Sequence, residues 1–111
     1  MKKLRVPIPT GYRFIPVANI VYIECINKIT TIYLSGASKE RIVSIKSLLF
    51  FETVLKPFGF GRMNKNQVVN HACIIFQDKH KIPNLKLEGY EEVKIPMSLD
   101  YKQKHGGFYI G

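Results

Sequence analysis

Five polar side chains that can bind phosphates and base edges lie together between residues 60 and 70. They are Arg62, Asn64, Lys65, Asn66 and Gln67. Arg and Lys neutralise phosphates and bond guanine, whereas Asn and Gln can bind adenine through two hydrogen bonds. None of the five is negatively charged, so one interpretation is a loop that contacts nucleic acid. The other is an ordinary solvated turn, since Asn is common in turns for backbone reasons of its own.

Apolar residues border this polar segment on both sides. Phe60 stands before it, and Val68, Val69 and then Asn70 stand after it. A segment bordered in this way suits a loop that is anchored at both ends while its polar middle faces solvent. We therefore expect residues 60–70 to form a loop.

The charge of the chain favours a polyanionic partner. Lys and Arg total 17 against 8 Asp and Glu, which gives a formal net charge of +9. The basic residues are concentrated in the first and middle thirds, because residues 82–111 hold four of each sign. Such a balance in a small domain favours nucleic acid over a membrane surface. A basic face built from the first two thirds is expected.

The residues give no indication of an enzyme, a metal site or a cofactor. No segment combines a nucleophile with a base, and Glu91-Glu92 after Gly89 fits a solvated hairpin turn. His71 and Cys73 form a lone H-x-C pair, which offers too few ligands for a metal ion.

The cysteines and the N-terminus indicate a cytoplasmic protein. Cys25 and Cys73 lie far apart and each adjoins an Ile. Buried free thiols in a reducing compartment are the simplest account, although a single disulfide is possible. Pro7, Pro9 and Arg13 leave no apolar stretch for a signal peptide, and no apolar run reaches membrane-spanning length. We expect no membrane insertion.

The hydrophobic pattern predicts one mainly β domain over residues 1–111, with a core of about 12–104 and a tail at 105–111. Apolar residues recur with a period close to two, as in half-buried strands. Glu24 is expected to be solvent-facing or hydrogen-bonded on its strand. The expected extended segments are 6–9, 12–15, 20–26, 30–34, 41–45 and 74–76, with a last hairpin across Gly89-Tyr90.

One segment departs from this period and predicts a short helix. Ser47 can cap a helix that continues to Leu55, and Pro57 and Gly59 would end it. A helix of about two turns has little stability by itself, so packing against the rest of the protein must hold it. The expected core-facing stripe is Leu48, Phe51 and Leu55.

Three segments, in order, resemble the LytTR-type DNA-binding domain, an output module of bacterial two-component response regulators. Residues 20–24 resemble the family's I-x-Y-I-E strand. Residues 47–55 and 60–70 resemble its helix and its F-x-R-x-H-[RK]-[SN]-x-x-V-N segment, and residues 95–98 resemble its closing I-P-x-S element. The resemblance extends from about Tyr12 to Lys102.

The resemblance implies an elongated, mainly β, antiparallel multi-sheet fold with one short helix. It also implies that loops, instead of a recognition helix, enter successive major grooves of DNA. By position it assigns DNA contacts to Lys28 and Thr30 in the loop after Glu24, to Arg62, Lys65 and Asn66 in the central loop, and to Ser98 at the end.

This chain differs from the family pattern at three contact positions. A His that the family sometimes places near Thr30 is missing, and Asn64 replaces a common His. Asp100 stands where a basic residue is frequent; it would repel phosphates or accept from a cytosine amine. Lys102 and Lys104 lie close enough in sequence to supply the charge.

The expected function is sequence-specific binding of double-stranded DNA as a bacterial transcription regulator. Pairs of copies would occupy paired half-sites. A receiver domain or a membrane partner would lie outside this chain, which is either an excised C-terminal domain or acts alone. One alternative is a protein-interaction module with a LytTR-like shell that has lost specific DNA binding, and another is an RNA-binding β domain.

Overall fold

The computed structural model of the chain describes residues 2–98, so Asp100, Lys102, Lys104 and the tail lie outside the described residues. Within this range α1 is Leu48–Leu55, and short 3-10 helices span Val17–Asn19, Lys56–Phe58 and His71–Cys73. The strands are β1 Lys3–Ile8, β2 Gly11–Pro16, β3 Ile20–Ile26, β4 Ile29–Leu34, β5 Arg41–Ser44, β6 Phe60–Asn64, β7 Gln67–Asn70, β8 Ile74–Gln77, β9 Asn84–Leu87 and β10 Tyr90–Pro96.

The described strands form antiparallel sheets of three sizes. A central sheet has the order β5-β4-β3-β7-β6, a second sheet has the order β10-β9-β8, and β1 pairs with β2 as a hairpin. The molecule measures 42 × 27 × 25 Å along its principal axes. The prediction of an elongated, mainly β, multi-sheet fold with one short α-helix is confirmed.

The two faces of the central sheet each cover a separate hydrophobic core. On one face, Ile23 and Ile32 pack with Phe51 of α1 and with residues of the β1–β2 hairpin. On the other face, Tyr22 and Val69 pack against the β8–β9–β10 sheet. Because both faces are buried, β3 is almost continuously apolar instead of alternating strictly.

The predicted helix and its cap are confirmed. Ser47 Oγ accepts a hydrogen bond from the Phe50 amide at 3.2 Å, as an N-cap residue does. The predicted stripe of Leu48, Phe51 and Leu55 is buried. Gly59 has a φ of +82°, which turns the chain away after the short 3-10 helix.

Residues 60–70 form a β-hairpin, so the predicted loop is wrong. β6 and β7 pair up to Asn64 and Gln67 and leave only Lys65 and Asn66 in the turn. The physical reason is tertiary, because β7 also pairs with β3, where Gln67 lies opposite Glu24. A sequence pattern cannot reveal that long-range pairing.

Smaller expectations were met less closely. The last hairpin turns at Glu88 and Gly89, one residue earlier than predicted. Both cysteines are free, as expected, but each is only partly buried. Burial, with a smaller contribution from Glu88, raises the pKa of the Cys73 thiol. In the part of the chain that the structure describes, no helix is both long and apolar enough to cross a membrane.

Candidate nucleic-acid interface

One end of the central sheet gathers the turns that carry the predicted contact residues. Asn27-Lys28 joins β3 to β4, and Lys65-Asn66 joins β6 to β7. Because β3 and β7 are antiparallel neighbours, both turns lie at the same end. The Cys25 amide donates to the Asn66 carbonyl at 2.8 Å, which ties the two hairpins together. We call this the turn end.

The end of β10 also reaches the turn end. The Ser98 amide donates to the Met63 carbonyl at 2.9 Å, and Asn64 Nδ2 donates to the Pro96 carbonyl at 2.7 Å. Ser98 is partly exposed. Segments that are far apart in sequence, including the three that carry the resemblance, thus meet at one end of the molecule.

The first turn is a stable hairpin connection that projects Lys28. Asn27 and Lys28 have φ values of +52° and +67°, the positive φ that a type I′ turn requires at both central residues. Such turns match the twist of the paired strands. Lys28 is exposed, and Ile26 and Ile29 beside it are 52% and 54% exposed.

The second turn is built differently and is held by side chains. Neither Lys65 nor Asn66 has a positive φ, and the strand register shifts between Arg62 and Asn64. Arg62 Nη2 donates to the Lys65 carbonyl at 2.6 Å, and its Nε donates to the Asn64 carbonyl at 3.2 Å. The Asn66 amide donates to Asn64 Oδ1 at 2.9 Å. Lys65 and Asn66 remain exposed at the tip.

A polar row crosses the central sheet behind the turn end. Asn64 Nδ2 donates to Gln67 Oε1 at 2.9 Å, and Gln67 Nε2 donates to Glu24 Oε2 at 2.8 Å. Tyr33 Oη donates to Glu24 Oε1 at 3.3 Å. Burial, together with the Glu24 charge, raises the pKa of Tyr33, so this hydroxyl keeps its proton and acts as the donor. The expectation of a hydrogen-bonded Glu24 is confirmed.

The turn end is electropositive at its surface. Lys28 and Lys65 are exposed there, and so is Lys46, which follows β5 where Ser44 pairs with Thr30. Two carboxylates among residues 2–98 lie near it, and both are partly buried and engaged. Glu24 belongs to the polar row, and Glu52 Oε1 lies 3.1 Å from Arg62 Nη1. The arrangement presents cations and neutral polar groups to an approaching polyanion.

Comparison with known proteins decides the family. The family model for the LytTr DNA-binding domain matches residues 10–105. The chain belongs to the LytTR family of DNA-binding domains. A solved LytTr DNA-binding domain from Bacillus cereus is 22% identical, with a TM-score of 0.72, and the match covers 94% of this chain and 93% of that one. At this identity the likeness supports the fold. A search of the curated proteins found no match.

The LytTR domain brings most of the predicted site residues together but buries some of them. Lys28, Lys65 and Asn66 are exposed, and Arg62, Asn64 and Ser98 are partly exposed. Thr30 and Gln67 are only 2% and 7% exposed, so in this conformation they present little surface to a ligand. Contacts of all these residues with DNA stay predictions, as do those of Asp100 and Lys102.

Sequence reasoning missed several residues of the LytTR turn end. Lys46 reaches it through the β4–β5 pairing, and its Nζ lies 5.2 Å from the centre of the Phe50 ring. Glu52 reaches it through the packing of α1 against β6. Ile26 and Ile29 flank Lys28. A more careful hairpin prediction around Asn27-Lys28 would have found the two isoleucines, whereas Lys46 and Glu52 depend on long-range contacts.

Proposed function

We propose that this LytTR domain binds double-stranded DNA sequence-specifically as part of a bacterial transcription regulator, with its turns inserted in the major groove. The observation that carries the proposal is the gathering of Lys28, Lys46 and Lys65, from three separate segments, at one end of the central sheet. Membership of a DNA-binding family and the net charge of +9 support it.

The geometry suits recognition by hairpin tips. A major groove about 12 Å wide admits a two-stranded β-ribbon. β6 and β7 form such a ribbon, and the Lys65-Asn66 turn is its tip. Lysine ammonium groups at the tips neutralise phosphates and release counterions, which sets the register. The exposed Lys65 and Asn66 then reach base edges, while Ser98 and Lys28 contact the flanking backbone.

The assembly of the regulator is part of the proposal. Two copies occupy paired half-sites, as the family resemblance implies, and a receiver domain or a membrane partner outside this chain supplies the signal. The solved relative is described as belonging to a response regulator, which supports this arrangement. We place the protein in the cytoplasm, where the DNA is, and assign it no enzymatic activity.

Selection from a randomised duplex library at two salt concentrations tests the function. The expected result is a short repeated motif, bound with an affinity that falls log-linearly and steeply as salt rises. Salt-sensitive binding without a motif would reduce the domain to a non-specific basic protein. Absence of binding at both salt concentrations would overturn the proposal.

Substitution of Lys65 tests base readout. We expect Lys65→Ala to lower discrimination between the selected motif and a single-base variant by roughly 1–3 kcal/mol, the usual value of one base contact. Lys3→Ala is the matched control, since it removes the same charge from an exposed position on β1. Lys3 pairs with Pro16, shortly before the start of β3 at the opposite end of the central sheet. Equal loss of affinity for all sequences in Lys65→Ala would contradict a base contact.

A second candidate function is protein interaction without specific DNA binding. The observation that favours it is the edge strand β8, which among the described strands pairs on one side only, with β9. It exposes Ile75 and Phe76 at 50% and 52%. An exposed apolar edge strand is a template for pairing with another chain. Binding of a protein partner through this edge would persist at a salt concentration that abolishes DNA binding.

A further inference from the structure

We infer that Glu52 is a positioning residue for DNA recognition, and that it acts through Arg62 to hold the Lys65-Asn66 turn in the conformation that reads bases. The inference rests on the proposed function. Glu52 lies on α1, outside the segments that carry the predicted contacts. It reaches the turn end by one ion pair, Oε1 to Arg62 Nη1 at 3.1 Å.

The Lys65-Asn66 turn needs support from side chains because its backbone lacks the positive φ values that are usual in a two-residue hairpin turn. Two-residue hairpin connections normally have positive φ, since that geometry follows the right-handed twist of the strands. The Asn27-Lys28 turn has it, whereas neither residue of the Lys65-Asn66 turn does. Hairpin turns of types I and II tend to splay the strands that they join, whereas types I′ and II′ follow their twist. Side-chain hydrogen bonds must therefore fix this tip.

Arg62 supplies most of that support. Its Nη2 and Nε donate to the Lys65 and Asn64 carbonyls at 2.6 and 3.2 Å, so the guanidinium spans the turn from one side. The fork geometry of Arg allows these bonds and the ion pair at the same time, which a single ammonium cannot do. The Arg62 and Glu52 side chains are 21% and 30% exposed, so solvent competes only partly for the pair.

The Glu52 carboxylate competes with DNA phosphates for the Arg62 guanidinium. An Arg close to a DNA groove is attracted to phosphate oxygens, and moving there would withdraw its donors from the turn. The Glu52 carboxylate, anchored on a helix whose Phe51 is fully buried, offers a nearer fixed partner. In this proposal Arg62 supports the turn and does not make the DNA contact that the family resemblance implies for it. Lys28, Lys46 and Lys65 neutralise the phosphates.

The test compares Glu52→Gln with Glu40→Gln. Both changes remove one negative charge and break one ion pair with an Arg, but Glu40 pairs with Arg13 before β5, at the opposite end of the central sheet. If Glu52 were only a charge near DNA, its removal would strengthen binding to every duplex. We expect instead that Glu52→Gln lowers the ratio of affinities for the selected motif and a scrambled duplex by about tenfold. For Glu52→Gln, the slope of log affinity against log salt concentration should steepen by about one unit, because Arg62 gains a phosphate contact.

A conservative variant and a spectroscopic readout complete the test. Arg62→Lys keeps the charge but loses the fork, so it should lower the same ratio. In the free protein, Glu52→Gln should shift the backbone amide resonances of Lys65 and Asn66, and Glu40→Gln should not. Unchanged amide resonances in Glu52→Gln, or an unchanged affinity ratio, would overturn the inference.

Failure of the proposed function gives a different pattern. A wild-type chain that selects no motif would overturn DNA recognition and with it the role of Glu52 in specificity. The amide resonances would still report whether Glu52 fixes the turn.

Discussion

Gln67 lies at the centre of the polar row and satisfies both of its neighbours. Its carbonyl accepts from Asn64, and its amide donates to Glu24, whose carboxylate is partly buried. A buried polar side chain is tolerated only when its hydrogen bonds are made, and here they are. The Gln67 side chain, for which a DNA contact is predicted, thus makes these hydrogen bonds within the central sheet.

Removal of the Gln67 amide should therefore destabilise the fold. We expect Gln67→Ala to lower the free energy of unfolding by about 1–3 kcal/mol, because Glu24 loses a donor in a partly buried place. Chemical denaturation of the variant and of Gln77→Ala measures this effect. Gln77 is exposed on β8 and serves as the control. Equal stability of the two variants would show that the polar row contributes nothing.

At the scale of elements, α1 links the core to the turn end. Its eight residues are too few for a stable isolated helix, so packing and capping must hold it. Phe51 and Leu55 enter the core while Glu52 meets Arg62. The same short helix therefore contributes to stability on one face and to the geometry of the turn end on another.

The Ser47 cap is testable by substitution. Ser47→Ala leaves the Phe50 amide without its side-chain acceptor and should lower the free energy of unfolding by about 1 kcal/mol. Ser47→Asp keeps an acceptor at the same place and should retain most of the stability. Thermal and urea unfolding of the two variants check this difference. A loss as large in Ser47→Asp as in Ser47→Ala would argue against the cap.

At the scale of the whole molecule, the central sheet separates two cores, and an aromatic cluster joins it to the second sheet. Tyr22 and Tyr33 stack with ring centroids 4.3 Å apart, and Tyr90 of β10 meets both rings edge-on. Tyr90 Oη donates to the Leu34 carbonyl at 2.6 Å. Three aromatic rings in offset and edge-on contact stabilise the junction beyond the area that they bury.

This cluster predicts a loss of stability at high pH. Burial, reinforced by the neighbouring tyrosines, raises the pKa of Tyr22 well above its usual 10.0, and burial also raises the pKa of Tyr33 and of Tyr90. The tyrosines of the unfolded chain lose their protons at lower pH than those of the folded chain. Their contribution to the free energy of unfolding is therefore fully present below about pH 10 and is lost as the pH rises further.

Tyr22→Phe tests this dependence because it keeps the ring and removes the titrating hydroxyl. We expect the free energy of unfolding of the wild type to fall more steeply above about pH 10 than that of Tyr22→Phe. Urea unfolding at pH 8 and at pH 10.5 measures the difference. Parallel losses in the two proteins would place the alkaline sensitivity elsewhere.

The sequence by itself indicated the family and most of the elements, but not β6 and β7. Period-two apolar segments predicted the strands, and Ser47 with the stripe of Leu48, Phe51 and Leu55 predicted the one helix. These features are local, because side-chain periodicity and capping act within a few residues. The resemblance over residues 20–24, 47–70 and 95–98 indicated the LytTR family, and the match to residues 10–105 confirms it.

Only the tertiary structure decided which side chains of the polar segment face solvent. Pairing of β7 with β3 turned an expected loop into a hairpin, buried Gln67 and left Lys65 and Asn66 at the tip. Packing of α1 brought Glu52 to Arg62 across ten positions of sequence. Such contacts depend on where distant strands lie, and one sequence read locally contains no signal for that placement.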